Sequence, residues 1–395
     1  MGSSPSNSAC CKCKCNGESS EKEISSFQNT KSIIKIQSIY RGFIFRKKNP
    51  DLYRNINCFS IRGSSSFSDL SKQIKEISMN YSTEVQDNNP KILKLKNLLP
   101  KFELDEKEAY LLNTATQLKT MGLLYPGNTI YKGTVNSKFQ REGFGKLFLS
   151  DGSIYEGFFK ENKMEGRGRL LNIEGFIYDG EFKNNLACGY GKYVGLDGTV
   201  YKGTWDNNKQ NGIGDVTYND NSHYIGNFVD GFKNGKGKFF FPEGNIYDGN
   251  FYNNEIKGEG LYKWRDGRIY MGIWENNKMN GYGIFCWPDN KRYYGHYTNN
   301  NKDGFGIFYW TDGKKFEGFW KNGKQHGFGF IYSSNLNEFG EWFEGKHVKT
   351  INDFNEMDNI KKYIKQIKGD LKFEEFCKNV QRYEKEIGID NVEIK

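Results

Sequence analysis

Histidine is scarce in this chain. There are four, dispersed at positions 223, 296, 326 and 347, none beside another or beside a paired nucleophile. That argues against a histidine-based catalytic centre or a histidine metal site. Long apolar runs are also missing. Hydrophobic residues make up 36% of the chain, mean hydropathy is −0.78, and no stretch reaches the about 20 apolar residues of a membrane-spanning helix. The first residues lack the apolar segment of a secretory leader, so entry into the secretory route is not expected. Charge of one sign is missing from the centre. The net charge of +9 sits largely in residues 31–62, where eight basic residues face the single acidic Asp51. Residues 131–345 are close to neutral, a poor basis for binding nucleic acid or another polyanion by bulk charge, while a local basic patch on one face stays open.

What is abundant is glycine and aromatic residues, 46 glycines and 16% aromatics, arranged with a beat. From Tyr131 an aromatic-x-Gly-x-aromatic phrase recurs at a fixed step of about 23 residues, the first step being slightly longer. It reads YKGTV at Tyr131, then runs through Tyr155 with Gly157, Tyr178 with Gly180, Tyr201 with Gly203 and Tyr224 with Gly226. It continues through Tyr247 with Gly249, Tyr270 with Gly272 and Tyr293 with Gly295, and ends in FEGFW at Phe316 and a fragment at Glu338. Each phrase is followed by Gly-x-Gly-x-aromatic, as in Gly189-Tyr190-Gly191. A fixed short period means stacked identical units. In YDGEF (Tyr178–Phe182) the residues at i, i+2 and i+4 share one face of a strand, and the second phrase alternates likewise, so each repeat is two strands. Pairs such as Asp151-Gly152, Asp197-Gly198, Asp266-Gly267 and Asp312-Gly313 are expected to make the hairpin turns, both residues tolerating positive φ. A glycine opposite a ring leaves room for that ring to lie flat over the backbone. The glycine pairs are not nucleotide loops, because a strand rather than a helix follows each.

The phrase resembles the MORN (membrane occupation and recognition nexus) repeat, in nine full copies and a fragment. The fold implied is mainly β: an elongated single-layer antiparallel sheet of MORN β-hairpin repeats, with helical flanks and a disordered N-terminus. Nine copies at about 4.8 Å per strand would extend roughly 85 Å. Such a sheet is held by packing between neighbouring repeats and needs end caps. MORN arrays of this kind often dimerise, so a homodimer is possible. Some MORN proteins carry a kinase or methyltransferase domain; the stretch after the array, 346–395, is too short for either, and no enzyme activity or cofactor is expected.

The chain begins Met-Gly-Ser-Ser-Pro-Ser, which fits N-myristoylation on Gly2 with Ser6 at the hydroxyl position. Cys10, Cys11, Cys13 and Cys15 follow at once as candidate palmitoylation sites, interleaved with Lys12 and Lys14. One myristoyl chain anchors marginally and two acyl chains anchor stably. Two alternatives stay open, an incidental cysteine-bearing tail and a metal site, though four sulfurs so close in sequence do not suit tetrahedral zinc. The scattered Cys58, Cys188, Cys286 and Cys377 read as reduced thiols.

Residues 31–48, KSIIKIQSIYRGFIFRKK, contain Ile36, Gln37, Arg41, Gly42, Arg46 and Lys47 in the order of an IQ motif. The resemblance implies a helix held by calmodulin or a related light chain. The residues agree: Ile33, Ile36, Tyr40 and Phe43 form one helical stripe flanked by positive charge, and Pro50 ends it. A basic amphipathic helix is also what an anionic membrane surface binds.

The expected organisation is a disordered acylated tail (1–30), an IQ helix (31–50), a linker (51–89), a helical N-terminal cap (90–125), the MORN array (126–345) and a C-terminal helical segment (346–395). Within the last, Gly369–Phe376 resembles half an EF-hand, but Ile364, Gln366 and Lys368 stand where oxygen ligands are needed, so no calcium or other metal site is expected. The functional expectation is a non-enzymatic scaffold on the cytoplasmic face of a membrane, regulated by calmodulin-type binding and displaying the sheet to protein partners. A phosphoinositide-binding or lipid-kinase-regulating module is the alternative.

Overall fold

The computed structural model describes residues 89–114, 118–125, 129–334 and 337–388. The chain divides into two units at residues 242/243.

The first unit opens with two short helices, α1 (Pro90–Lys96) and α2 (Glu106–Thr114). Eleven strands follow: β1 (Lys119–Tyr125), β2 (Thr129–Val135), β3 (Arg141–Phe148), β4 (Ile154–Lys160), β5 (Lys163–Asn172), β6 (Phe176–Lys183), β7 (Leu186–Gly195), β8 (Val200–Asp206), β9 (Lys209–Thr217), β10 (His223–Val229) and β11 (Phe232–Phe240). Each strand pairs antiparallel with the one before it. The second unit repeats the plan with β12 (Ile246–Tyr252), β13 (Glu255–Lys263), β14 (Ile269–Glu275), β15 (Lys278–Cys286), β16 (Arg292–Thr298), β17 (Asn301–Tyr309), β18 (Lys315–Lys321), β19 (Lys324–Tyr332), β20 (Asn337–Phe343) and β21 (Lys346–Thr350). It closes with α3 (Phe354–Lys368) and α4 (Leu371–Ile387). The stretch 90–125, expected to be helical throughout, therefore ends in a strand that supplies the neighbour for β2. Likewise 346–350 is β21, and the helices start after it.

Glycine builds the sheet. In register, Gly145 faces Gly133, Gly214 faces Gly203 and Gly260 faces Gly249. The tyrosine two residues before the first glycine of each pair lies across both: a Cβ on Gly260 would stand 2.5 Å from Cζ of Tyr247. The ring is thereby buried, and its hydroxyl donates to the carbonyl three residues on. Tyr155 Oη reaches Phe158 O at 2.9 Å, Tyr201 reaches Thr204 at 2.9 Å and Tyr247 reaches Asn250 at 3.0 Å. Phe316 holds the same place without the hydroxyl.

The second aromatic of each phrase couples repeats. Phe182 stands edge-on to both Tyr155 (5.0 Å) and Tyr178 (5.1 Å). Trp205 does the same between Tyr178 and Tyr201, and Trp274 between Tyr247 and Tyr270. Each such contact is worth about 0.5–1.5 kcal/mol beyond burial, so within each unit a ladder of them binds repeat to repeat.

The turns correct one expectation. Asp151, Asp197, Asp266 and Asp312 are not at positive φ; only the glycine after each is, and the aspartate side chain instead accepts from the backbone N–H two residues on, as Asp197 does from Thr199. The two-residue turns with both φ positive are the Asn-Asn pairs and their variants, such as Asn184-Asn185 (51° and 69°) and Asn276-Asn277 (50° and 62°). Their second asparagine also joins repeats: Asn277 Oδ1 accepts from Ile256 N at 2.7 Å, while Asn277 N donates to Ile256 O at 3.1 Å.

Candidate interaction surface

The tyrosine side of each sheet is closed by its own rings, so chemistry with a partner falls to the opposite, open side. In the first unit α1 covers part of that side. Ile92 and Leu95 pack onto Phe148, Ile154, Leu171 and Ile177, one from each of β3 to β6. Phe102 stacks on Phe144, and the guanidinium of Arg167 lies 4.8 Å over the Phe102 ring. Arg167 also bonds Glu108 of α2 at 3.0 Å, and Arg169 pairs with Asp179.

On β7–β11 of the same unit no described element covers the open side. It presents Tyr190, Ile213 and Ile225, 60%, 70% and 42% exposed, among Lys192, Lys202, Lys236 and Lys238. Of the two acidic residues in these strands, Asp206 ends β8 and Asp215 contacts His223 at 2.8 Å. This is an apolar stripe set in positive charge.

In the second unit the open side is sealed by the C-terminal helices. Ile364, Phe373, Phe376, Val380 and Tyr383 pack onto Met271, Ile284, Tyr294, Phe305 and Ile307. Glu384, 1% exposed, accepts from Tyr294 Oη at 2.8 Å. At the rim Arg382 pairs with Glu259 (2.7 Å) and Lys368 with Glu317 (2.6 Å). Between the helices Gly369 closes α3 and Asp370 caps α4 by accepting from Lys372 N. Cys286 lies in this core, and burial pushes its thiol up to about 12, so it stays protonated and unreactive at neutral pH.

Two lysines were not singled out by the sequence reading. Lys233 and Lys302 occupy one column of the repeat, which other copies fill with Arg141, Met164, Ala187, Gln210, Ile256, Met279 and Gln325. Both lie inside the ring ladder. The ammonium of Lys233 is 5.0 Å from the Phe239 ring and donates to Tyr218 Oη at 3.3 Å. That of Lys302 stands over Trp320 (4.3 Å) and Phe308 (4.7 Å). Burial lowers the Lys233 ammonium to about 7, against an opposing pull from Asp220. The column mixes apolar side chains with Arg141, Gln210 and Gln325, so nothing in the sequence alone signals that these two lysines are buried.

All the repeat-defining tyrosines and glycines named from the sequence fall in this ring geometry. Gly2, Cys10, Cys11, Cys13 and Cys15, and the IQ residues Ile36, Gln37, Arg41, Gly42, Arg46 and Lys47, lie outside the described residues.

The MORN repeat model matches residues 155–171, 178–200, 201–223, 224–246, 247–267, 270–292, 293–315 and 316–337. The copy at Tyr131 is not among these eight, yet has the same geometry, its hydroxyl donating to Thr134 O at 2.7 Å. The IQ calmodulin-binding motif model matches residues 30–48. Comparison with curated proteins gives no match. Among solved structures, the wild-type TCP10 domain of Danio rerio CPAP is 10% identical, covering 59% of this chain and 99% of that one at a TM-score of 0.30. The TCP10c domain of Drosophila melanogaster Sas-4 is 12% identical, covering 46% and 100% at a TM-score of 0.25. Neither likeness is close enough to transfer fold or function. Eight repeat matches on a two-strand unit with a shared ring-over-glycine core, preceded in the sequence by the matched IQ motif, make the chain a MORN-repeat protein with an IQ calmodulin-binding motif.

Proposed function

We propose that this repeat scaffold is non-enzymatic and is held at the cytoplasmic face of a membrane by acyl chains on Gly2 and on Cys10, Cys11, Cys13 and Cys15. Its IQ neck takes calmodulin or a related light chain, and the repeat sheet is displayed to protein partners, with the uncovered side of β7–β11 the face that meets them. The observation that carries the reading is the order of the parts. An acylation-type N-terminus leads after a short spacer into a matched IQ motif inside a segment of eight basic residues, and that into an array of modules without catalytic function. A polybasic segment gains about 1 kcal/mol per basic residue beside an anionic leaflet. Calmodulin competes for the same residues, so binding lifts the neck from the leaflet while the acyl chains stay inserted.

A second reading, anionic headgroups held by the repeats themselves, draws support from the four lysines on the open side of β7–β11. Cell fractionation separates the two. Gly2→Ala in the full chain is expected to move the protein from membranes to the soluble fraction, and Ser in place of the four cysteines to weaken retention. Gly2→Ala protein that stays on membranes would overturn the acyl anchor and favour the repeats.

A further inference from the structure

The open side of the second unit shows what the columns of this repeat can hold. There Phe373 and Phe376 of α4 meet Tyr282 at 5.5 and 5.4 Å, and Phe373 also meets Phe305 at 5.7 Å. Met271 and Tyr294, in the neighbouring row of the sheet, lie in the same buried cluster. Around this apolar contact the sheet is acidic and the helices are basic. Glu259 pairs with Arg382 at 2.7 Å, and Glu317 with Lys368 at 2.6 Å.

In the first unit the same columns recur on β7–β11, and no described element covers them. Tyr190 and Ile213 stand four repeats before Tyr282 and Phe305, and Ile225 stands in the column of Met271 and Tyr294. All three are exposed. The apolar anchor points are therefore kept, while the charge around them changes sign. Lys236 stands one repeat before Glu259, and Lys202 five repeats before Glu317. Lys202 also lies directly opposite Lys192 in the β7–β8 register, and like charges so placed destabilise a sheet. The carboxylates beside this pair are engaged elsewhere, Asp179 with Arg169 and Asp215 with His223. An incoming negative charge would relieve the opposed lysines.

We propose that the open side of β7–β11 docks an amphipathic helix of an acidic partner protein. Its apolar stripe rests on Tyr190, Ile213 and Ile225, and its carboxylates face Lys192, Lys202 and Lys236. That the occupant is a protein rests on the scaffold reading above; its helical form and its charge rest on the columns shared with the second unit. A second copy of this chain is a poor occupant, because the Lys368 and Arg382 of its C-terminal helices would meet lysines where they now meet Glu317 and Glu259. A lipid headgroup would answer the lysines but leave the exposed Tyr190 and Ile213 without a use.

Hydroxyl-radical labelling of Tyr190 in the full-length protein reads the docking. The probes are two synthetic peptides spanning Leu371–Ile387, one unchanged and one carrying Lys378→Glu with Arg382→Glu. The acidic peptide is expected to lower Tyr190 labelling by about threefold or more, at a concentration where the unchanged peptide leaves it as it was. Ile213→Asp, at an exposed side chain, should abolish that protection, and Lys202→Glu with Lys236→Glu should transfer it to the unchanged peptide. No protection by the acidic peptide, equal protection by both peptides, or protection that survives Ile213→Asp overturns the proposal. Vesicles rich in anionic lipid separate it from the wider reading. If they protect Tyr190 and the acidic peptide does not, the protein-facing role of these strands falls as well. If neither protects it, the docked helix alone is overturned.

Discussion

Gly260→Ala is expected to destabilise the second unit by about 3 kcal/mol or more, a large effect for one methyl group. The backbone at Gly260 is not left-handed, so strain in φ is not the cause. The methyl would stand 2.5 Å from Cε2 and Cζ of Tyr247, a ring with 0% exposure whose hydroxyl is bonded to Asn250 O. The ring has nowhere to go. Moving it breaks the edge contacts to Phe251 (5.2 Å) and Trp274 (5.7 Å) and leaves a buried hydroxyl unpaired. Gly313→Ala is the control. Gly313 has φ +81° and nothing within 4 Å of a Cβ, so alanine there costs only the left-handed backbone, about 1–2 kcal/mol. Urea unfolding followed by tryptophan fluorescence separates the two; equal costs would show that the ring-over-glycine contact does not hold the sheet together.

Lys233→Met is expected to stabilise the first unit at neutral pH, by about 2 kcal/mol or more, and to remove a pH dependence. The side chain sits where Met164 and Met279 sit in other repeats, so methionine fits the space. In the folded protein the ammonium is held down to about 7 by burial; in the unfolded chain it titrates near the ordinary lysine value of about 10.4. Between these values the unfolded chain binds the extra proton, so stability rises with pH from about 7 and levels off above about 10. Below pH 7 the lysine is charged in both states and its full burial cost remains. The shift corresponds to an upper bound of about 4–5 kcal/mol, which attraction to the rings of Tyr218, Tyr224 and Phe239 reduces. Unfolding midpoints of the two proteins should converge as pH rises from 6.5 to 9.5; parallel curves would contradict the assignment.

Much of this fold is legible in the sequence because its determinants are local. A tyrosine, the glycine two residues on and the glycine opposite form a unit that repeats in register, and the ring-over-glycine packing follows from the spacing. The turns are less legible. Asp-Gly reads as the stronger two-residue turn, yet Asn184-Asn185 and its equivalents take the positive φ values. What recommends asparagine is an amide bonded to the backbone of the preceding repeat, as Asn277 is to Ile256, and that partner is visible only once the strands are placed. The flanking helices illustrate a different limit. Their amphipathic spacing shows that a stripe must be buried, but not that Ile92 would meet Leu171 or Phe376 would meet Tyr282. Lys233 and Lys302 escape notice because their repeat position also carries Arg141, Gln210 and Gln325, and only the placed strands show the ring ladder closing over them. The proposal of acylation at Gly2 and the clustered cysteines rests on the sequence alone, and the IQ positions rest on the sequence and its motif match.

The measurement that bears most directly on a calmodulin-responsive scaffold is a calorimetric titration of calmodulin into the full-length protein, with and without calcium, alone and on vesicles rich in anionic lipid. The account predicts one calmodulin bound per chain, weaker apparent binding on the anionic vesicles because the basic neck must first leave the surface, and loss of binding when Ile36, Gln37 and Arg41 are changed to alanine. No binding in either calcium condition, or binding that survives the triple substitution, would contradict it.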